Sequence, residues 1–383
     1  MDILQEMSLN KDFLTSINDD RKYNRIIKKY FFKFANNEGY VAFNKDTLIN
    51  NAKAIENCNK VWTLDFYKNS NVKEILRTML CRNKFCANCK KVAQATRMSK
   101  YIPLLSNYSS KLYHLTLTLP NVNGVSLRST LKKMSRCFKR LVNFLKGYKH
   151  ISGLDFDWGF EGCIRSLEVT FNGDNYHPHY HVAVVFSNID ISSKNIENVY
   201  SYNFKNGFAQ LTRLFSEQEI LIQKIWYLLL NDIKVTKFSI DNLDVGYSCS
   251  MDHFVDDHYV ELFKYMTKST SENGNVLTYN NFISLYYSLY RIKQLQGYGC
   301  FYDVIDDFDT ESAVQAYSDF INSLKLTNDV LRINEFTSID DKKTYIERKS
   351  LLFDDSNVPI GLVNLEKSVY VSRKKFFQYL KKI

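Results

Sequence analysis

Few segments leave a chain less choice than His177-Pro178-His179-Tyr180-His181 followed by Val-Ala-Val-Val-Phe186. The apolar run reads as a buried strand, and Pro178 stands near its beginning, where a missing amide costs least. Side chains two apart on a strand project from one face, so His179 and His181 converge. Of the seven histidines in the chain, three fall in these five residues, which makes a shared task the reading to pursue. Two imidazoles on one face form half of a metal site. The plain alternative is a pair of exposed strand histidines, and the neighbouring segments decide against it.

Upstream, Ile164-Arg-Ser-Leu-Glu-Val-Thr-Phe171 also reads as a strand. Asn172-Gly-Asp-Asn175 supplies the turn of a hairpin leading into the histidine strand. Alternation puts Arg165, Leu167, Val169 and Phe171 on one face and Ser166, Glu168 and Thr170 on the other. An unpaired carboxylate in the middle of a core strand is expensive. If the two strands pair, Glu168 can lie opposite the histidines and supply a third ligand. His177 shares their parity and competes for that role, although Pro178 interrupts the alternation. Two imidazoles and a carboxylate with positions left open suit Mn²⁺ or Mg²⁺, held together with a phosphate oxygen. Ligand type alone also admits Zn²⁺.

A second cluster is Tyr259-Val-Glu-Leu-Phe-Lys-Tyr-Met-Thr-Lys268. Glu261 and Tyr265 are four apart, as are Lys264 and Lys268, so on a helix each pair shares a face. A phenol of ordinary pKa about 10 becomes a nucleophile only with help from positive charge or a base. Lys264 or Lys268 is positioned to supply the charge. A surface helix in a chain of 26 tyrosines is the plain alternative for this segment taken by itself.

Together these segments resemble the rolling-circle replication initiators (Rep proteins) of small bacterial plasmids, in the HUH endonuclease superfamily. The resemblance rests on HLTLTLPN at 114–121, on LEVTFN and HPHYHVAVVF within 167–186, on ELFKYMTK at 261–268 and on RIKQLQGYGCFYDV at 291–304. It covers roughly residues 20–310 and has no counterpart in the last seventy or so. It implies that His179 and His181 hold a divalent cation, with Glu168 as third ligand. It also implies that Tyr265 attacks the scissile phosphate, leaving a 3′-hydroxyl and a 5′-phosphotyrosyl link that can later be rejoined. Glu261 would then activate water for the terminating cleavage, as in the single-tyrosine branch of these enzymes. Plasmid origin DNA, a host helicase and a host DNA polymerase are the implied partners.

The eight cysteines are too sparse for a disulfide scaffold. With no signal peptide and no apolar stretch long enough to span a bilayer, a reducing cytoplasm and no membrane partner are expected. Four are nevertheless clustered: Cys58, Cys81, Cys86 and Cys89. The Cys-x-x-Cys at 86–89 has zinc-knuckle spacing, and Cys58 with Cys81 would complete a structural Zn²⁺ site by closing the intervening segment into a loop. The resemblance, which includes a similar Cys-rich segment, supports pairing these four; free thiols at a basic helix start are the alternative. Cys137, Cys163, Cys249 and Cys300 read as buried small hydrophobes.

Charge fits a polyanionic partner, since 51 Lys and Arg against 41 Asp and Glu leave a net charge of +10. Part of that excess lies on one predicted helix, Ser126–Lys149. Its apolar face carries Leu127, Leu131, Met134, Phe138, Leu141 and Leu145; its other face carries Lys132, Lys133, Arg136, Lys139 and Arg140. A solvated face is the default for such a stripe, and contact with a DNA backbone is the functional reading.

The fold expected is α+β: an antiparallel palm sheet with packed helices, which the resemblance makes ferredoxin-like or RRM-like. Four parts are expected: a basic helical region over 1–57, with Arg21–Phe34 its clearest amphipathic stretch; a Cys-rich zinc-binding segment over 58–100; an endonuclease domain over 101–305; and a helical extension over 306–383, ending in the basic Ser372–Lys382 stretch. Further helices are predicted at about 217–230 and 257–268. No Gly-rich phosphate loop accompanies them, which argues against a built-in helicase. A transposase or relaxase with the same chemistry, or a non-catalytic zinc-dependent DNA-binding regulator, are the competing functions. Whether the chain acts alone or as an oligomer is not legible.

Overall fold

The amphipathic stretch around Arg21–Phe34 is helical, and the helix extends beyond it at both ends. In this computed structural model the residues described are 11–37, 43–58, 61–67, 73–78, 80–154, 156–204, 207–263, 277–304, 345–353 and 359–364. Two compact units are found, Met1–Ala95 with Asp309–Ile383, and Thr96–Phe308. Elements are numbered along the chain.

In the first unit, α1 (Lys11–Ala35) buries Ile27, Phe31 and Phe34, one turn apart on one stripe. It packs against α2 (Lys45–Glu56), which Asn44 caps by accepting from the amides of Asp46 and Thr47. The segment between Cys58 and Cys81, expected as a loop, contains an antiparallel pair, β1 (Val61–Tyr67) and β2 (Lys73–Thr78). Its alternating Val, Trp, Thr, Leu, Asp, Phe and Tyr carry a period-two signal that sequence reasoning passed over.

The helical extension expected over 306–383 needs correcting. Where that stretch is described it is strand: β11 (Tyr345–Phe353) pairs with the far edge of β1, and β12 (Pro359–Asn364) pairs with β11. The order is β12-β11-β1-β2. A free edge of β1 offers hydrogen bonds to a segment almost three hundred residues away, and helical periodicity cannot register such a partner. Ser372–Lys382 lies outside the described residues.

The second unit takes in α3 (Ala87–Ser106) from Thr96 onward. It then runs β3 (Leu112–Leu117), β4 (Val122–Asn123), α4 (Gly124–Leu145), β5 (Phe160–Asn172), β6 (Asn175–Phe186), β7 (Ile196–Phe204), β8 (Gly207–Phe215), α5 (Glu217–Leu230), α6 (Lys237–Asp241), β9 (Cys249–His253), α7 (Asp256–Phe263), α8 (Tyr279–Leu289) and β10 (Leu295–Gly299). The helix predicted over 217–230 has those bounds. The one predicted over 126–149 starts two residues earlier and ends at Leu145.

The main sheet is antiparallel throughout, in the order β10-β5-β6-β3-β9, with β4 against the start of β6. Its centre is the predicted hairpin. Asn172 pairs with Asn175 around a two-residue turn, and Gly173 takes φ +59° at the first central position, which a side chain would disfavour. Mixed helices and antiparallel sheet make the architecture α+β.

Alternation gives the sheet two different faces. One carries Leu115, Leu117, Arg165, Leu167, Tyr180 and Val182 and is covered by α4 and α5, with Phe138 and Trp226 ringing Tyr180. The other carries Leu112, His114, Ile164, Glu168, His179, His181, Ala183 and Val185. Its apolar end is sealed by Tyr101 and Leu105 of α3 and by Tyr259, Leu262 and Phe263 of α7. Its polar end is left for chemistry.

The ribbon of β7 and β8 was also unforeseen, although Asn206-Gly207 at its tip is a strong hairpin signal. It joins the sheet through ions: Arg213 of β8 pairs with Asp252 of β9, and so does Lys194, which also reaches Glu219. Glu219 is fully buried, yet it accepts from the amides of Ser216 and Met251 as well as from Lys194. That carboxylate is held by donors the protein supplies.

Candidate active site

Glu168 is a buried carboxylate in a different setting. It is 3% exposed, stands opposite His179 across the β5–β6 pair, and meets two imidazoles with a single oxygen. Its Oε2 is 2.9 Å from His179 Nε2 and 3.1 Å from His181 Nε2. The ligand atoms of Glu168, His179 and His181 all lie within 4.8 Å of one another.

Hydrogen positions follow from the partners. His179 Nδ1 lies 3.2 Å from the His177 carbonyl, which can only accept, so Nδ1 carries the hydrogen. A neutral His179 then turns a lone pair on Nε2 toward an anionic oxygen. Lone pairs do not face one another at hydrogen-bond distance without positive charge between them. A proton on His179 Nε2 would supply it for that contact alone. One divalent cation supplies the same charge to all three groups at once. The donor set, two nitrogens and a carboxylate oxygen, fits such an ion.

Of the predicted metal residues, the fold brings Glu168, His179 and His181 together. His177 is not in that group; it contributes its backbone carbonyl, and its ring lies tilted at 37° to that of His179 with centroids 5.2 Å apart. Glu261 reaches the same place from α7, with Oε2 3.9 Å from His181 Nε2 and the side chain 37% exposed. It thus sits at the rim rather than in the buried trio. Tyr265, Lys264 and Lys268 lie outside the described residues.

His114 was assigned no role from sequence, and the fold gives it one. Its Nε2 is 3.2 Å from His181 Nδ1, behind the trio. No local signal marks this, because the two residues are 67 apart in the chain.

The basic stripe lies elsewhere. Lys132, Arg136, Lys139 and Arg140 are exposed on the outer side of α4, and Lys133 pairs with Asp232. Because α4 packs through Phe138 onto Tyr180, the stripe is on the sheet face opposite Glu168, His179 and His181.

The four predicted cysteines also converge, within the first unit. Hairpin ends lie side by side, so the β1–β2 pair brings Cys58, before it, to Cys81, after it. Cys86 and Cys89 come from the start of α3. Sγ···Sγ separations are 3.4 Å for Cys58–Cys86 and 3.6 Å for both Cys58–Cys89 and Cys81–Cys89. Four thiolates at about 2.3 Å from one tetrahedral zinc would be about 3.8 Å apart, so the sulfurs fit that ion closely.

Donors already point at these sulfurs. Asn24 of α1 donates to Cys86 while accepting from the Ala87 amide. Arg82, at φ +58°, turns its amide to Cys89 Sγ at 3.2 Å. Hydrogen bonding with Cys81, and further with Cys86 and Cys89, holds the Cys58 thiol well above its usual pKa. Cys86 is pushed up by burial, but hydrogen bonds from Cys58, Cys81 and Cys89 outweigh that and bring it well down. Cys89 is held well up, so Cys86 is the sulfur on which the ion-free cluster favours negative charge.

Residues 72–196 match the family model described as "Replication protein" (Rep_1). Over that stretch the chain is similar to Rep-type replication proteins. The Rep match takes in Cys81, Cys86, Cys89, Glu168, His179 and His181 and stops short of α7. Three curated relatives each carry the name "Protein rep". One, from Streptococcus pneumoniae serotype 2 (strain D39 / NCTC 7466), is 28% identical over 149 residues, covering 37% of this chain and 42% of the relative. Another, from Bacillus amyloliquefaciens, is 23% identical over 238 residues, covering 59% and 63%. A third, from Lentilactobacillus hilgardii, is 25% identical over 114 residues, covering 28% and 33%. The chain therefore spans less than two thirds of the length of each of these. No solved structure matches it. Among the described residues no helix is long and apolar enough to cross a membrane.

Proposed function

We propose that the chain is a plasmid replication initiator that nicks one strand at its origin, becomes covalently linked to the 5′ end, and rejoins the strand at termination. The observation that carries this reading is Glu168, His179 and His181 converging on one point, with Glu261 at its rim, in a chain that matches Rep proteins. The strand and helix order β3-α4-β5-β6-α5-β9, with both helices on one sheet face, supports a ferredoxin-like palm whose other face bears the site.

In this reading residues 101–305 are the endonuclease domain, and residues 58–100 carry a structural Zn²⁺ on Cys58, Cys81, Cys86 and Cys89. His179, His181 and Glu168 would hold Mn²⁺ or Mg²⁺. Such an ion, when bound, polarises the scissile phosphate and offsets charge growing on its oxygens. Tyr265 comes four residues after Glu261 in the sequence, a spacing that on a helix puts both side chains on one face. The phenol oxygen attacks phosphorus in line, and the 3′-oxygen leaves and ends as a hydroxyl. Lys264 or Lys268 would favour the phenolate. Glu261 would accept a proton from water in the terminating cleavage. Extension of the 3′ end by a host polymerase, behind a host helicase, completes the cycle in the cytoplasm.

The test is incubation with Mn²⁺ and a labelled single-stranded origin oligonucleotide, read on a denaturing gel. Wild-type protein is expected to give a covalent adduct, Tyr265→Phe none, and Glu261→Gln an adduct that releases product slowly. An undiminished adduct in Tyr265→Phe would move the nucleophile to another tyrosine. No adduct from wild-type protein would favour a DNA-binding regulator.

The basic stripe of α4 belongs to the same reading as a duplex contact away from the nick. Replacing Lys132, Arg136, Lys139 and Arg140 by Gln is expected to flatten the salt dependence of origin-duplex binding. Each lost phosphate contact changes the slope of log K against log salt by about 0.9. Adduct formation on a short single strand should be unchanged. An unaltered slope would return the stripe to solvent.

A further inference from the structure

We propose that His114 is a positioning residue for the metal centre, fixing the His181 ring so that Nε2 rather than Nδ1 faces Glu168. The proposal rests on the metal reading above and concerns a residue outside the trio of Glu168, His179 and His181. Both side chains belong to residues only 7% exposed, so neither ring can exchange its partner for bulk water. His114 lies on β3 and His181 on β6, and in that pair His181 stands opposite Thr116, two residues beyond His114. The rings are therefore diagonal neighbours on one sheet face. They stack nearly parallel, at 8° with centroids 5.3 Å apart, and His114 Nε2 comes 3.2 Å from His181 Nδ1.

With an ion held on His181 Nε2, only one arrangement of hydrogens suits both contacts of that ring. With Nε2 turned to the carboxylate as a ligand atom, Nδ1 carries the hydrogen and needs an acceptor. His114 Nε2 is that acceptor, so His114 carries its own hydrogen on Nδ1. The two ligand histidines are then treated alike by different means: a backbone carbonyl orients His179, and a second imidazole orients His181. A ligand ring held by a partner on its other nitrogen binds metal more tightly, and losing that partner typically weakens binding 10–100-fold.

His114 is itself wedged in place. The Phe254 ring stands edge-on to it at 5.9 Å and 78°, and the His258 ring lies 4.3 Å away on the other element packed there, α7. His258 accepts the Val255 amide on Nδ1 at 3.1 Å, which fixes that ring in turn. The orientation of His181 thus passes back through β3 to the first turn of the helix that bears Glu261.

Mn²⁺ binding to the full chain, followed by electron paramagnetic resonance with calorimetry, tests the role apart from any nicking. His114→Phe fills the space without an acceptor and is expected to weaken Mn²⁺ affinity 10–100-fold. His114→Gln puts an amide oxygen where Nε2 stood and is expected to remain within about threefold of wild type. Equal affinity in His114→Phe and wild type would overturn the proposal, as would equal weakening in both variants, which would assign the effect to packing. Should His114→Phe fail to fold, ring nitrogen-15 shifts of wild-type protein with Zn²⁺ as diamagnetic probe decide the matter. Hydrogens on Nδ1 of both His114 and His181 are expected, and a hydrogen on Nε2 of His114 would overturn it. A wild-type chain that binds no Mn²⁺ would overturn the metal reading itself, a result distinct from loss of His114's role alone.

Discussion

His181→Ala is expected to lower the rate of covalent adduct formation by about a thousandfold or more. An ion at this site offsets transition-state charge worth several kcal/mol, and each 1.4 kcal/mol is a factor of ten in rate. Alanine removes one of two imidazoles and leaves the buried Glu168 with His179 as the remaining imidazole on its Oε2. Loss of activity through loss of fold has to be separated from this. Glu168→Gln does so, because it keeps the shape of the side chain and removes a charge that is costly to bury. It should therefore fold at least as well as wild type by thermal melting and still lose Mn²⁺ binding and adduct. Adduct formation in Glu168→Gln at the wild-type rate would remove the carboxylate from the centre; the same result in His181→Ala would remove the centre altogether.

Cys86→Ser is expected to have its effect on stability. Cys86 is fully buried, accepts from Asn24 and lies 3.4 Å from Cys58 Sγ. Structural zinc in small domains supplies apparent binding free energies of about 10–16 kcal/mol, much of which is folding free energy. The wild-type chain should carry one zinc by elemental analysis, and Cys86→Ser close to none. The first unit should then lose its cooperative melt, as the wild type should with a strong chelator. Zinc content unchanged by the substitution would mean that the metal is held elsewhere. A chain purified without zinc and stable to chelation would leave the four thiols as a packed cluster only.

Both clusters of candidate ligands were legible in the chain because the centre of each depends on short spacing. His179 and His181 share a strand face by alternation, and Asn172-Gly173 turns the preceding strand so that Glu168 meets them. Cys86 and Cys89 are one helical turn apart. Glu261 could be placed four residues before Tyr265 on the same reasoning, and its approach to His181 follows from α7 packing on the histidine face. What the spacing could not give was the side of the sheet each helix covers. The stripe on α4 looks as suited to the nick site as any other basic face until Phe138 is found against Tyr180.

Local pattern also failed where partners are distant. β11 and β12 depend on the edge of β1, and His114 depends on a ring 67 residues away, so neither leaves a mark in its own neighbourhood.

The sequence by itself determined the central strands, the helices α4 and α5, the turn between the two central strands, and the residue types able to bind metal. These depend on backbone propensity and on periodicities of two and 3.6 residues, which act over a single element. Tertiary structure alone decided the sheet order, the partners that His179 and His181 meet, and the separation of the basic stripe from the histidine face. Those depend on which surfaces meet when apolar area is buried, and that is a property of the whole chain rather than of any segment.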